Sequence, residues 1–229
     1  GKTIKKGLNI TIIVLLLLMA TITSGYILLQ NSAVQTFIIK KITEQLSLKT
    51  NAQISIGKVD FRFFNKLVLN DVLISGTASD TIFYSRILSA KIDTLKIKEQ
   101  RISLSELSFF ENKISVVRDS ANHFNFSFIL DSLQTEKRDT SISVLWKIRC
   151  NQFNFQNSDF AFHDVSSDKQ SHFFINQMNL NASDFFNYSD STAFRINNLS
   201  LNYNNYLDIN NLSANVSITK SKIEIDSLS

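Results

Sequence analysis

Proline is absent from these 229 residues, and there are only five glycines and one cysteine. At average usage, roughly 5% proline and 7% glycine, a chain of this size would hold about eleven and sixteen. Collagen-like, elastic and proline-rich linker sequences are thereby excluded. One cysteine excludes a disulfide scaffold and any zinc site built on cysteine pairs. Surplus charge is missing as well. The formal net charge is +4, but Lys2, Lys5 and Lys6 crowd the first six residues, and without them 21 basic side chains face 20 acidic ones. A nucleic-acid footprint needs a basic surplus that this body does not have. What is present is apolar. With 44% hydrophobic and 19% charged residues, most of the chain belongs with folded rather than disordered sequences.

The strongest local signal runs from Leu8 to Leu29, and its stretch Ile10 to Leu29 carries no charge. Twenty-two helical residues would span roughly 33 Å, enough for a hydrocarbon layer of about 30 Å. A cleaved signal peptide also begins with lysines before an apolar run. Its apolar core is usually about 7–15 residues and ends at a small-residue cleavage site, and neither applies here. The sequence therefore predicts a retained transmembrane anchor over residues 1–30. Lys2, Lys5 and Lys6 flank its start, whereas Lys40 and Lys41 lie well past its end and are partly offset by Glu44. That asymmetry favours a cytoplasmic N-terminus with the remaining chain across the membrane.

From Val34 the apolar residues Val34, Phe37, Ile38, Ile42 and Leu46 recur at three- and four-residue steps. This predicts an amphipathic helix within residues 31–50, capped by Asn31 or Ser32 and ended at Thr50-Asn51. Its stripe is expected either to pack on the chain beyond residue 50 or to lie at the membrane interface beside the anchor.

Beyond Asn51 the period changes to two, the signature of strands. Val59, Phe61 and Phe63 alternate with Asp60 and Arg62. Leu95 and Ile97 alternate with Lys96 and Lys98. Phe124, Phe126 and Phe128 do so with Asn125 and Ser127, although a helical turn from Phe128 is also compatible. Val144, Trp146, Ile148 and Cys150 form another face. The polar stretch from Gln134 to Ser141 has no period and is expected to be a loop. Four segments share one template with apolar residues at 0, +3 and +5: Cys150/Phe153/Phe155, Ile175/Met178/Leu180, Ile196/Leu199/Leu201 and Ile209/Leu212/Ala214. A step of three puts side chains on opposite faces of a regular strand, so either a bulge intervenes or the first residue belongs to a bend. Asn-Asn pairs are expected to supply the positive-φ turns for which glycine is scarce.

A sheet with one apolar face must bury it, and no helical pattern after residue 50 is long enough to cover it. A second sheet, a closed barrel or a curved sheet around an apolar ligand would each do so, and periodicity is common to sandwich and groove. Catalytic and metal chemistry has little foothold. His123, His163 and His172 are scattered, Cys150 sits on an apolar strand face, and there is no phosphate loop or nucleophile elbow. The sequence thus predicts no enzyme, no metal and no cofactor.

The anchor, the helix from Val34-Gln35 and the segments Ile54 to Phe61, Leu67 to Ile74, Asp80 to Tyr84 and Asp119 to Phe128 resemble the N-terminal region of the AsmA-like/TamB family, Bacteroidetes type. Two departures are Asn51 and Asn122-His123, where glycine is common. The resemblance implies a mainly β fold: a transmembrane helix (1–30), an amphipathic helix capping the groove (31–50), then a long antiparallel, curved sheet forming an apolar, taco-like groove (51–229). It further implies a single-pass inner-membrane protein with a periplasmic body that shelters phospholipid tails on the way to the outer membrane. Phospholipids would be its transported ligands, and an outer-membrane barrel protein of the Omp85 class or another envelope protein its partner. Val59, Phe61, Phe63, Leu67, Leu69, Leu95 and Ile97 are the expected first part of the lining. If the sheet is instead a closed sandwich, the same residues are core and the protein is a tether or assembly scaffold; a surface adhesin with a signal anchor is the third possibility.

Overall fold

A computed structural model describes residues 19, 24, 31–62, 65–76, 80–96, 98–129, 147–166, 171–188, 191–203, 206–219 and 221–229. The expected anchor, with Lys2, Lys5 and Lys6, lies outside them except for Met19 and Ser24, both helical. Among the described residues no helix is long and apolar enough to cross a membrane. Phe63, Ile97, Val144, Trp146 and the stretch from Gln134 to Ser141 also lie outside.

Helix α1 (Ser32–Thr50) starts where the capping residues place it. The Asn31 side chain accepts from Ala33 N and Val34 N, and Asn51 at φ 55° ends the helix. Nine strands follow: β1 (Gln53–Arg62), β2 (Lys66–Ser75), β3 (Thr81–Lys96), β4 (Arg101–Arg118), β5 (Lys147–Asp164), β6 (Ser171–Tyr188), β7 (Ser191–Tyr203), β8 (Leu207–Thr219) and β9 (Ile223–Asp226). They form one sheet whose spatial order is the chain order. Seven of the pairings are antiparallel. The expectation of an antiparallel sheet needs one correction: β4 and β5 run parallel, because the chain between Arg118 and Lys147 returns to the end from which β4 began, as parallel neighbours require. A second correction concerns Phe124 to Phe128. Phe124 makes only an isolated bridge to Arg118 and residues 127–129 are helical, so the alternating aromatics there belong to the connection and not to a strand.

Each strand packs only on its neighbours in the sheet, and α1 packs only on β1. Among the described residues there is no second layer, and β1 does not pair with β9 to close a barrel.

The helix covers an edge. β1 has one free side, and its N–H groups there need acceptors. Phe61 N–H donates to Gln35 Oε1 (3.3 Å) and Ile54 N–H to Ser47 Oγ (3.1 Å). Among the described side chains of α1 the buried ones are Gln35, Ile39, Thr43 and Thr50, at helical spacing. Phe37 and Leu48, three turns apart, are 64% and 75% exposed, and Leu46 is exposed too. Val34 is half-buried; the side chains of Ile38 and Ile42 lie outside the described set. Gln35 and Ser47 thus take part in the docking face because the edge being covered presents backbone donors.

Candidate functional site: a creased apolar trough

The inward face is continuous across the sheet. Val59 stands opposite Leu69, Leu69 opposite Leu88, Leu88 opposite Phe109, Phe109 beside Phe155, Phe155 opposite Leu180, Leu180 opposite Leu199 and Leu199 opposite Leu212. A second row runs through Phe61, Leu67, Ala90, Leu107, Phe153, Ala182, Ile196 and Ala214. Neither row contains a charge or a polar side chain. Aromatic rings reinforce the seam, with Phe109 stacked on Phe155 (centroids 4.5 Å apart) and edge-on to Phe153 (5.8 Å). The outward face is chemically opposite. There, Asn154 Nδ2 donates to Ser108 Oγ, Asn181 Nδ2 to Asn154 Oδ1, and Asn197 Nδ2 to Asn181 Oδ1, a hydrogen-bonded ladder across four strands.

A crease runs perpendicular to the strands. Asp71, Glu111 and Asn157 adopt left-handed backbone conformations (φ 52°, 52° and 49°) and lie on one line, with Gly57 opposite Asp71 and Arg86 between Asp71 and Glu111. Each such residue costs about 1–2 kcal/mol outside glycine, and each has a fixed neighbour. Tyr84 Oη donates to Asp71 Oδ1 (2.9 Å), Arg86 Nη1 to Glu111 Oε2 (2.7 Å), and Asn157 N–H to Asn179 Oδ1 (2.9 Å). Gly57 is needed here for space, since a Cβ on it would sit 3.1 Å from that of Asp71.

The crease interrupts the alternation, so residues three apart share a face: Ile56 and Val59, Val72 and Leu69, Ser85 and Leu88, Asn112 and Phe109, Ser158 and Phe155. The sheet folds inward along it. Phe83 lies five residues from Leu88, the partner of Phe109, which is about 16 Å in a flat strand, yet its ring centroid is 5.9 Å from that of Phe109. Beside the crease Ser85, Asn112 and Ser158 are 0%, 1% and 0% exposed; Asn112 Nδ2 donates to Ser158 Oγ (2.7 Å). A second crease crosses β6 at Asp184 (φ 56°). It puts Cys150 and Phe153, three apart, on one face with their partners Phe185 and Ala182. The face is thereby creased along two lines, and the sheet folds inward at the first.

These creases and the register shifts of β6, β7 and β8 account for the 0, +3, +5 template: a break in the alternation intervenes at the step of three. Of the Asn-Asn pairs, Asn204-Asn205 lies outside the described residues, and the two described pairs behave otherwise than expected. Asn197-Asn198 and Asn210-Asn211 lie inside strands with ordinary backbone, and the left-handed positions fall to isolated residues. The two asparagines at glycine-type positions, Asn51 and Asn122, do take the left-handed conformation (φ 55° and 64°).

No family model and no curated protein matches this chain. The site therefore rests on its geometry. Of the expected lining, Val59 (1% exposed), Phe61, Leu67 and Leu69 sit together on β1 and β2, and Leu95 lies on the same face at its margin, more than half exposed. Phe63 and Ile97 lie outside the described residues. The aromatic centre of the seam, Phe109, Phe153 and Phe155, was not among the expected lining, although Phe153 and Phe155 alternate in sequence and belong to the template.

Sequence spacing also missed a contact. His163 and His172 face each other across a hairpin, Nδ1 to Nδ1 at 2.7 Å. Among the described residues they belong to no group of three or more potential metal ligands. Asp164 turns to Arg118 instead. Arg118 Nε donates to Asp164 Oδ1 (3.1 Å) while its Nη2 engages Oδ2, and this guanidinium, helped by Ser166, holds the carboxyl well below the usual carboxylate range. Cys150 is buried, and that burial pushes its thiol pKa up.

Proposed function

We propose that the protein is a membrane-anchored trough for phospholipid tails, an AsmA-like/TamB-type bridge with its body in the periplasm and its anchor in the inner membrane. The observation that carries the reading is the uncharged apolar seam, which crosses eight strands on a face that no other described element covers. From β1 to β8 it is about 34 Å long at the usual strand spacing. One leaflet of a hydrocarbon core of about 30 Å is roughly half that, so a tail fits lengthwise with room to move. Each methylene kept from water is worth about 0.8 kcal/mol. Contacts of this kind have no direction, so a tail that slides exchanges each for a similar one. The seam offers no charge to arrest it.

Photo-crosslinking tests the proposal. A photoreactive residue at Leu69 or Phe61 is expected to label co-purified phospholipid, and one at Arg62, on the opposite face, is not. Absence of label on both faces leaves the tether or assembly scaffold as the surviving reading.

A further inference from the structure

One end of the sheet sets cations directly against one another. Arg62 pairs with Lys66 and Lys66 with Lys91; farther along the same side, Lys96 pairs with Arg101 and Arg101 with Lys147. Like charges directly opposite each other on neighbouring strands destabilise a sheet. Compensation is partial, with Glu106 standing opposite Lys91 on the other side. Arg62 Nε meets Asp60 Oδ2 at 2.6 Å, and Glu99 meets Lys96 Nζ at 2.9 Å and Arg101 Nη1 at 3.9 Å. Lys147 and Arg149 lie over the rings of Tyr188 and Phe186 (4.4 and 5.9 Å). Lys96, Arg101, Lys147 and Arg149 line a concavity of about 550 Å³ with Ser103 and Phe186. The carboxyl of Glu99 is held below its usual range, first by Lys96 and then by Arg101 and Lys147.

The position of this end decides what it meets. Gln35, in the first turn of α1, receives the N–H of Phe61 next to Arg62. The start of α1, which the uncharged sequence Ile10 to Leu29 precedes in the chain, therefore lies at the cationic end. An anchor entered from there brings a bilayer surface to these side chains, and a row of lysines and arginines with few carboxylates complements lipid phosphate.

We propose that the cationic strand ends form a docking surface for the phosphate groups of an anionic phospholipid bilayer. The inference shares with the proposed function only the membrane anchor; it does not depend on lipid in the trough.

The full chain, reconstituted in vesicles, provides the test. Trp146 is its single tryptophan and precedes Lys147, so energy transfer from it to a dansyl-headgroup lipid reads how near this end lies to the surface. Transfer is expected to rise from vesicles of phosphatidylcholine alone to vesicles containing phosphatidylglycerol, and to fall back at high salt. At about fivefold per cation, Lys96→Gln, Arg101→Gln and Lys147→Gln together should lower the docked-to-undocked ratio roughly a hundredfold. These neutral replacements also remove like-charge opposition, so the sheet should persist by circular dichroism. Lys113→Gln, away from this end, should change nothing. Equal transfer in both vesicle types, a triple variant that behaves like its parent, or loss of the difference on adding millimolar inorganic phosphate at constant ionic strength would overturn the docking surface. A chain that fails to float with neutral vesicles sinks the anchor on which both readings rely; one that floats with equal transfer sinks the docking alone.

Discussion

Asn51 and Asn122 hold left-handed backbone on either side of strands β1 to β4. Asparagine tolerates that conformation and glycine adopts it freely, whereas alanine does not. Asn51→Ala and Asn122→Ala should each cost about 1 kcal/mol in urea unfolding, and the glycine variants should stay within about 0.5 kcal/mol of the parent. Asp164 supplies a pH dependence. Its folded pKa is depressed by Arg118, so its contribution is fully present above the unfolded value of about 3.9 and is lost as pH falls below that through the folded value. Denaturation midpoints of the parent and Asp164→Asn should differ at pH 7, and the gap should narrow in acid below about pH 4. At this scale the sequence was partly legible. The asparagine cap of α1 and the buried Cys150 follow from residue chemistry. The left-handed Glu111 does not, because glutamate has no local preference for that region, and only its alignment with Asp71 of β2 and Asn157 of β5 gives it a role.

Among the elements, α1 shows why a correct periodicity led to an unexpected interface. Its helical spacing was plain, but the choice of face was set by the hydrogen-bonding needs of β1, which no sequence window contains. Gln35→Ala, which removes the acceptor for Phe61 N–H, should lower stability by about 1 kcal/mol. Phe37→Ser with Leu48→Ser should leave the unfolding midpoint within about 0.5 kcal/mol of the parent, because both side chains face away from β1; chemical denaturation distinguishes the two. The strands were legible as alternation, and the step of three as an interruption of it. The parallel pairing of β4 with β5 was not, since register between distant strands depends on where the intervening chain crosses.

At the level of the whole molecule, the trough makes charge the sensitive variable. Leu88→Glu, in the middle of the seam, should cut phospholipid phosphorus per purified protein several-fold while the β signal in circular dichroism remains. Ser89→Glu, one residue away on the opposite face, should leave lipid content unchanged. Equal lipid content in the two variants would separate the apolar seam from any carrying role.

Because the strands occupy space in the order in which they are synthesised, and each meets only its two flanking neighbours, the architecture has the additivity of a stacked array. Inserting or deleting one hairpin changes its span by about 9.6 Å and leaves the remaining strand pairings intact. Length in such a protein is a modular quantity, set like the divisions on a ruler, and the span of the apolar face can be adjusted without redesigning its chemistry.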